Sequence, residues 1–306
     1  MRGFITDPDH PGGLRLAEDL PEPVPADGEL VVDVRAYAVN RGELALIPAR
    51  PEGWQPGQDV AGVVHAAAAD GTGPVAGERV VAIAQGGGWA ERVAVAAAHC
   101  ARLPDGVETE QAAALPIAGL TALRALRQAG SLLGRRVLVT GATGGVGQFA
   151  VQLARAAGAH VTALVSGPHR RDEARTLGAH RVICDLDDDG LEPFAFVADG
   201  IGGDTLTAAI HHLEPGATAV TYGALGGPAT IGLRDFATAP NARLMGLFHY
   251  VPEDQKGADL ATLVTQIQNR TLDPRLGRVD DWTRTTDVLA ALAHREIVGK
   301  AVLRRT

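Results

Sequence analysis

Cysteine is nearly absent: Cys100 and Cys184 are the only two in 306 residues. Two thiols cannot build a disulfide framework or a four-thiolate zinc lobe. Aromatic residues amount to 4% of the chain, and no apolar run reaches the roughly 18–20 residues of a membrane span. The opening MRGFITDPDH lacks the apolar stretch of a signal peptide. A cytoplasmic protein with no membrane partner is expected. Positive charge is also scarce, with 28 basic against 36 acidic residues and a net charge of −8. A phosphate-backbone binder is normally basic overall, so no nucleic-acid partner is expected.

What is present is ordinary for a globular chain: 46% hydrophobic and 21% charged residues, with 38 glycines and 18 prolines in no fixed period. At roughly 100–200 residues per domain, the length suggests two domains. The first third reads as short strands: MRGFIT, ELVVDVRAYAV (29–39), DVAGVVHAA (59–67), ERVVAIA (78–84) and AERVAVAA (90–97). Turn clusters such as DGTG and QGGG separate them, a spacing that suggests an antiparallel barrel or sandwich. From about residue 109 the pattern changes. Thr109 is expected to cap a helix through Leu115, and a second helix is expected from about Ala118 to Ala129. Apolar strands (RRVLVT, HVTALV, RVIC, FAFVAD, ATAVTYG, RLMGLFHY) then alternate with amphipathic segments such as QFAVQLARAAG and HRRDEARTLG. That alternation argues for a buried parallel sheet. Further helices are expected near 256–270 and 283–295, before a final strand KAVLRR.

The most informative stretch is VLVTGATGGVGQFAVQLARAAGAHVTALV. An apolar strand runs into Gly141, Gly144, Gly145, Val146 and Gly147, and a helix follows at once. Such a turn bends sharply and lets backbone approach a pyrophosphate, which faces the free N–H groups of the helix N-terminus. The strand–turn–helix–strand context makes this a dinucleotide-site signal, against the alternative of a tight structural turn. An NAD enzyme usually carries a carboxylate at the end of the next strand. Here no acid occurs until Asp172, and Ser166, His169, Arg170 and Arg171 crowd the position instead. Arginine pairs with a 2′-phosphate where an acid would repel it, so NADPH is favoured over NADH. The alternative is an exposed basic helix start.

Taken together, AVNRGEL (38–44), GQDVAGVV (57–64), GERV (77–80), GGWAERVAV (87–95), AAALPIAGLTAL (112–123), VLVTGATGGVGQ (137–148), ADGIGGDTL (198–206) and VGKAVL (298–303) form a family pattern. The chain resembles the zinc-independent, zeta-crystallin-like quinone oxidoreductases of the medium-chain dehydrogenase/reductase superfamily. The resemblance implies an α/β protein with a split GroES-like β-barrel catalytic domain (1–116 and 271–306). Inserted into it would be a doubly wound Rossmann domain (117–270) that binds NADPH. It also implies a homodimer formed along a sheet edge, for which the strand near 243–250 is the candidate.

By family position, Asn40 would donate to the substrate oxygen and Thr121 would meet the nicotinamide edge. Tyr222, Gly223, Phe248 and Tyr250 would complete the cofactor contacts. Asn40 also suits a turn after a strand, and Thr121 suits a core helix. Zinc-dependent relatives carry Cys where Asn40 stands and a His-Glu pair where Gln58 and Asp59 stand, so no metal is expected. Ala45 replaces a tyrosine that lines the substrate site in several relatives, and Asp185 replaces one near the adenosine phosphate in some. Tyr37, Glu43, His249, Tyr250 and water remain as proton donors.

Three functions fit this reading. The first is an NADPH-dependent quinone or enone reductase acting on a small molecule. The second is a biosynthetic, polyketide-type tailoring reductase or cyclase. The third is a non-catalytic NADPH-binding protein.

Overall fold

The computed structural model describes residues 1–188, 190–248 and 256–305. In chain order the strands are β1 (Gly3–Thr6), β2 (Leu14–Ala17), β3 (Glu29–Val39), β4 (Asp59–Ala66), β5 (Arg79–Ile83), β6 (Arg92–Ala96), β7 (Cys100–Arg102), β8 (Arg136–Thr140), β9 (His160–Leu164), β10 (Arg181–Ile183), β11 (Phe194–Asp199), β12 (Leu213–Thr221), β13 (Arg243–Gly246), β14 (Leu276–Asp281) and β15 (Lys300–Arg304). The helices are α1 (Arg41–Ala49), α2 (Thr109–Ala113), α3 (Pro116–Arg127), α4 (Gly147–Ala156), α5 (Arg171–Thr176), α6 (Gly203–His211), α7 (Lys256–Gln268) and α8 (Thr285–Ala293). The chain divides into two compact units, Met1–Leu120 with Pro252–Thr306, and Thr121–Val251.

The first unit is the GroES-like one. Its seven-stranded sheet runs β14-β15-β3-β4-β5-β7, with β6 also paired to β3. Strand β3 is the hub. It pairs antiparallel with β4, β6 and β15, so most of ELVVDVRAYAV is buried rather than alternating with solvent. Leu30, Val32, Val60, Val80, Trp89, Trp282 and Leu303 fill the core around it. Tyr37 lies in that core, its ring stacked on Trp89 at 5.8 Å and 23°. The C-terminal strand β15 joins this sheet, as the resemblance implies.

The second unit is a Rossmann sheet. All six strands are parallel, in the order β10-β9-β8-β11-β12-β13. The order reverses between β8 and β11, which makes that pair the topological switch point where such folds bind ligands. Helix α4 lays Phe149, Ala150, Val151 and Ala154 inward. Strand β13 is an edge strand, and every residue in it is exposed.

Several local expectations shift. Helix α3 starts at Pro116 rather than near Ala118. Proline suits the first helical position, and the carboxylate that caps the next N–H comes from Asp59, far away in sequence. Thr109 is not a cap. It is the first residue of α2, and its hydroxyl accepts a bond from Arg79 instead. The segment 169–178 yields only the single turn Pro168–Arg170 and the short α5.

Helix α7 was expected with the Rossmann domain, but it groups with the barrel unit. Leu260, Leu263, Val264 and Ile267 form its buried stripe. A Cβ at Gly257 would sit 2.6 Å from the Ala98 carbonyl oxygen and 2.7 Å from that of Cys100, so this glycine lets the helix rest directly on barrel backbone.

Candidate active site

In the barrel unit, β3 ends at Val39 and α1 begins at Arg41, leaving Asn40 as the N-cap with extended backbone (φ −124°, ψ 152°). An N-cap asparagine normally turns its side-chain oxygen onto the first helical turn. That does not happen here. The Glu43 N–H bonds the Asn40 backbone oxygen at 3.1 Å, and the Asn40 N–H donates to Glu43 Oε2 at 2.6 Å. The Asn40 side chain points elsewhere. Its Nδ2 donates to Asp59 Oδ2 at 2.9 Å, and its Oδ1 accepts from Lys300 Nζ at 2.6 Å.

Lys300 also donates to Asp59 Oδ2 at 3.2 Å and to the Val39 carbonyl at 3.2 Å. The remaining Asp59 oxygen accepts the Ile117 N–H at 2.8 Å and so caps α3. The side chains of Lys300 and Asp59 are 3% and 0% exposed; such an ion pair persists only because each partner satisfies the other and each has further bonds.

Glu43 lies beside this cluster, itself buried. Burial, followed by the negative charge of Asp59, pushes its carboxyl up to about 8, against the opposing bond from the Asn40 N–H. Its second oxygen, Oε1, has no hydrogen-bond partner among the described residues. Tyr37 is not an available proton donor. Its hydroxyl is committed to Thr285 Oγ1 at 2.6 Å, and burial raises its pKa. Ala45 lies on α1. His249 and Tyr250 fall outside the described residues.

In the Rossmann unit, β8 ends at Thr140 and Gly141 follows with φ +63°, a conformation that favours glycine. A Cβ at Gly147 would lie 2.2 Å from the Gly141 carbonyl oxygen, so this glycine is demanded by strand–helix packing. Gly144 is exposed, and a Cβ there would meet only that same oxygen, at 3.1 Å. Gly145 and Val146 are half-buried in the same turn. The N–H groups of Gly145, Val146 and Gly147 meet no acceptor among the described residues. The turn therefore has what a pyrophosphate needs: open backbone donors at a helix start and no side chain in the way.

After β9, Ser166 and His169 are exposed while Arg170 and Arg171 are half-buried. Arg171 donates to the Val182 carbonyl at 3.2 Å. The Arg170 N–H donates to the Gly167 carbonyl at 3.0 Å, and its guanidinium has no partner among the described residues. Asp185 is exposed, and its carboxylate accepts the Asp187 N–H at 2.9 Å.

Across the switch point, Asp199 at the end of β11 is 0% exposed. It accepts from Thr140 Oγ1 (2.6 Å), Thr221 Oγ1 (2.8 Å), and the N–H groups of Ile201 (3.2 Å) and Gly202 (3.0 Å). Gly223 packs so tightly that a Cβ would meet the Gly200 carbonyl oxygen at 2.1 Å. The Tyr222 hydroxyl is buried and finds no partner among the described residues. Thr121 is buried on α3. Phe248 is 74% exposed.

Residues 26–105 match the family model for the alcohol dehydrogenase GroES-like domain, and residues 145–265 match that for the zinc-binding dehydrogenase. The chain belongs to the medium-chain dehydrogenase/reductase superfamily. Among solved structures, this superfamily member is similar to mycobacterial Rv1454c complexed with NADPH, at 26% identity and a TM-score of 0.88 over 99% of this chain and 100% of that one.

Among curated proteins, it is 36% identical over 180 residues to the chloroplast envelope quinone oxidoreductase homolog of Arabidopsis thaliana, covering 54% of each chain. It is 42% identical over 164 residues to erythronolide synthase EryA2 of Saccharopolyspora erythraea, covering 53% of this chain and 4% of the synthase. The matches thus span about half of the plant protein and a small fraction of the synthase.

Sequence reasoning singled out Asn40 but missed its two side-chain partners. Asp59 was read only as a position that carries a zinc ligand in zinc-dependent relatives, and Lys300 stood only as a charge inside the apolar run VGKAVL. A charge in a buried strand must find a partner, and that rule would have paired them.

Proposed function

We propose that the protein is an NADPH-dependent, zinc-independent reductase of quinones and α,β-unsaturated carbonyl compounds, with Asn40 as the hydrogen-bond donor to the substrate oxygen. The observation that carries this reading is the Lys300 ammonium bonded to both Asn40 Oδ1 and Asp59 Oδ2. Zinc ligands stand at the positions of Asn40, Gln58 and Asp59 in zinc-dependent relatives. In this chain a lysine cation already occupies the oxygens a metal would need, and two of the three side chains are neutral amides. That donor set does not fit zinc, which is held by thiolate, imidazole and free carboxylate.

Without a Lewis acid, the acceptor must already be activated. Conjugated acceptors meet that condition, because the negative charge appears on an oxygen remote from the carbon that is reduced, and a neutral N–H can stabilise it. The nicotinamide, when bound, supplies the hydride. The chain supplies a pyrophosphate cradle at Gly144–Gly147, a cation at Arg170 for the 2′-phosphate, and Thr121 toward the nicotinamide. Glu43, held protonated near neutral pH, is the nearest buried proton store to Asn40 in the barrel unit. The NADPH complex of the mycobacterial neighbour and the quinone-oxidoreductase relative support the cofactor and substrate class.

A second reading, a polyketide-type tailoring reductase or cyclase, is favoured by the match to EryA2. We further propose a cytoplasmic homodimer pairing through β13, whose Leu244 and Met245 are 39% and 38% exposed; no helix of the described residues is long and apolar enough to cross a membrane.

The test is NADPH oxidation with a panel of quinones, enones and enoyl thioesters, each with and without a chelator, alongside NADPH and NADH fluorescence binding to wild type and Arg170→Ala. Turnover that is insensitive to chelation, with an NADPH preference that collapses in the variant, is expected. Equal affinity for both cofactors would remove the NADPH assignment, and absence of turnover across the panel would remove the reductase. Turnover confined to bulky thioesters would select the second reading.

A further inference from the structure

Building on the proposed role of Asn40, we infer that Lys300 and Asp59 form a positioning pair that locks the Asn40 amide in one orientation and leaves one of its N–H groups free to donate. Four observations lead there. The helix cap is completed without the Asn40 side chain, because Glu43 exchanges bonds with the Asn40 backbone alone. The side chain is therefore released from the role its position would normally assign.

The two groups that take it instead have opposite and exclusive hydrogen-bonding character. An ammonium only donates and a carboxylate only accepts. The atom 2.6 Å from Lys300 Nζ must be the amide oxygen, and the atom 2.9 Å from Asp59 Oδ2 must be the amide nitrogen. A flip of the amide would set donor against donor and acceptor against acceptor, so only one orientation is tolerated.

The frame is itself fixed. Asp59 is tied to the Ile117 N–H and Lys300 to the Val39 carbonyl, and both side chains are buried. Finally, the shortest bond of Lys300 is to Asn40, at 2.6 Å, not to Asp59 at 3.2 Å. A lysine retained only to neutralise a buried aspartate has no need of that geometry. One N–H of the amide is spent on Asp59, and the other has no acceptor among the described residues. A half-buried asparagine fixed in this way presents a preorganised donor rather than a rotor that must be frozen when substrate binds.

The decisive variant is Asp59→Asn. It is isosteric and can keep the Ile117 bond through its oxygen. The new amide nitrogen then faces the Asn40 nitrogen and the lysine, which removes the carboxylate half of the lock and leaves only the Lys300 half. The variant Asp59→Asn/Lys300→Met removes both charges together, so that neither is left buried alone. Two independent readouts apply to both variants, with thermal unfolding as the check on folding. The first is the side-chain NH2 pair of Asn40 in ¹⁵N-labelled protein, assigned by its disappearance in Asn40→Ala. Its two protons are expected to be well dispersed in wild type. In both variants they are expected to move toward the positions of solvent-exposed asparagine, with hydrogen exchange at least about tenfold faster.

The second readout is steady-state reduction of a simple benzoquinone by NADPH. In both variants kcat is expected to fall by about tenfold or more with the NADPH Kd unchanged, and adding Asn40→Ala to either is expected to cost little more. An Asn40 amide signal unchanged in the folded double variant would overturn the positioning role whether or not the protein turns over. Full additivity of the Asn40 and Asp59 losses would overturn it as well. If the wild type reduces no acceptor, the reductase reading falls, while the amide signal still decides whether the pair positions Asn40.

Discussion

Among the described residues, each unit of the molecule buries one aspartate completely, and the two are satisfied in different ways. Asp199 accepts four hydrogen bonds, two from threonine hydroxyls and two from backbone N–H groups. All four donors are neutral and come from the ends of β8 and β12 and the turn after β11, whose own end supplies the carboxylate. Asp59 accepts one backbone N–H, one side-chain amide and one lysine. The first arrangement closes on itself: every donor is consumed, and the result is a knot holding three strand ends at the switch point. The second ends on a side chain that still has a donor to give. The inventory of who donates thus separates a buried carboxylate that holds a scaffold from one that aims a functional group.

The comparison breaks most easily at Asp199. Asp199→Ala orphans four donors, at roughly 1 kcal/mol each, and is expected to cost about 4 kcal/mol of stability. The urea unfolding midpoint of the full chain measures it, and a shift too small to resolve would show that Asp199 is no strand clasp. Turnover per folded molecule is expected to change far less than stability does.

Asn40→Ala is expected to do the reverse. Lys300 keeps two of its three bonds, so stability should hold. Loss of one preorganised donor is expected to lower kcat/KM by about 100-fold, or about 2.7 kcal/mol of transition-state stabilisation. A variant with wild-type turnover would return Asn40 to the role of a simple turn residue.

A third contrast lies within the glycine turn. Gly147→Ala forces a Cβ to 2.2 Å from the Gly141 carbonyl oxygen, whereas at Gly144 the same atom approaches it only to 3.1 Å, a tight contact that a shift of a few tenths of an ångström relieves. Gly147→Ala is expected to destabilise the Rossmann unit by about 1–3 kcal/mol, as overpacking does. Gly144→Ala is expected to cost less stability while weakening NADPH, because Gly144 is exposed on the turn where the pyrophosphate is proposed to bind. Unfolding midpoints and NADPH fluorescence titration read the two apart, and equal effects on both would merge the roles we separate.

Much of this was legible in the residues because its determinants are local. The strand, turn and helix of 137–156 follow from hydrophobic period and glycine spacing, and the parallel character of the sheet follows from their repetition. What escaped was set at a distance. The start of α3 depends on a carboxylate on β4, the placement of α7 on the bare backbone at Gly257, and the orientation of Asn40 on a lysine at the far end of the chain. The helix α1 was also missed. Its segment, RGELALIPA, contains Pro48 and too short a period to be read as helical. Each of these is a tertiary decision overriding a weak local preference.

The last contrast concerns Glu43, which borders the Asp59 cluster, where Asp199 has no such neighbour among its bonded groups. Burial and the charge of Asp59 hold its folded pKa at about 8, above the range of a carboxylate in an unfolded chain. Between those two values the unfolded chain is ionised at this position while the folded protein keeps the proton, so folding takes up a proton. Stability from this group is therefore fully present below the unfolded pKa and is lost as pH rises through the folded one. Glu43→Gln retains an acceptor for the Asn40 N–H but cannot titrate. Relative to wild type, the variant is expected to gain stability steadily from about pH 5 to about pH 8, by about 4 kcal/mol in total, and then to run parallel above that. Melting temperatures of the two proteins across that range provide the measurement. Curves that stay parallel throughout would mean that Glu43 is ionised in the folded barrel and that the proton beside Asn40 is not there to be used.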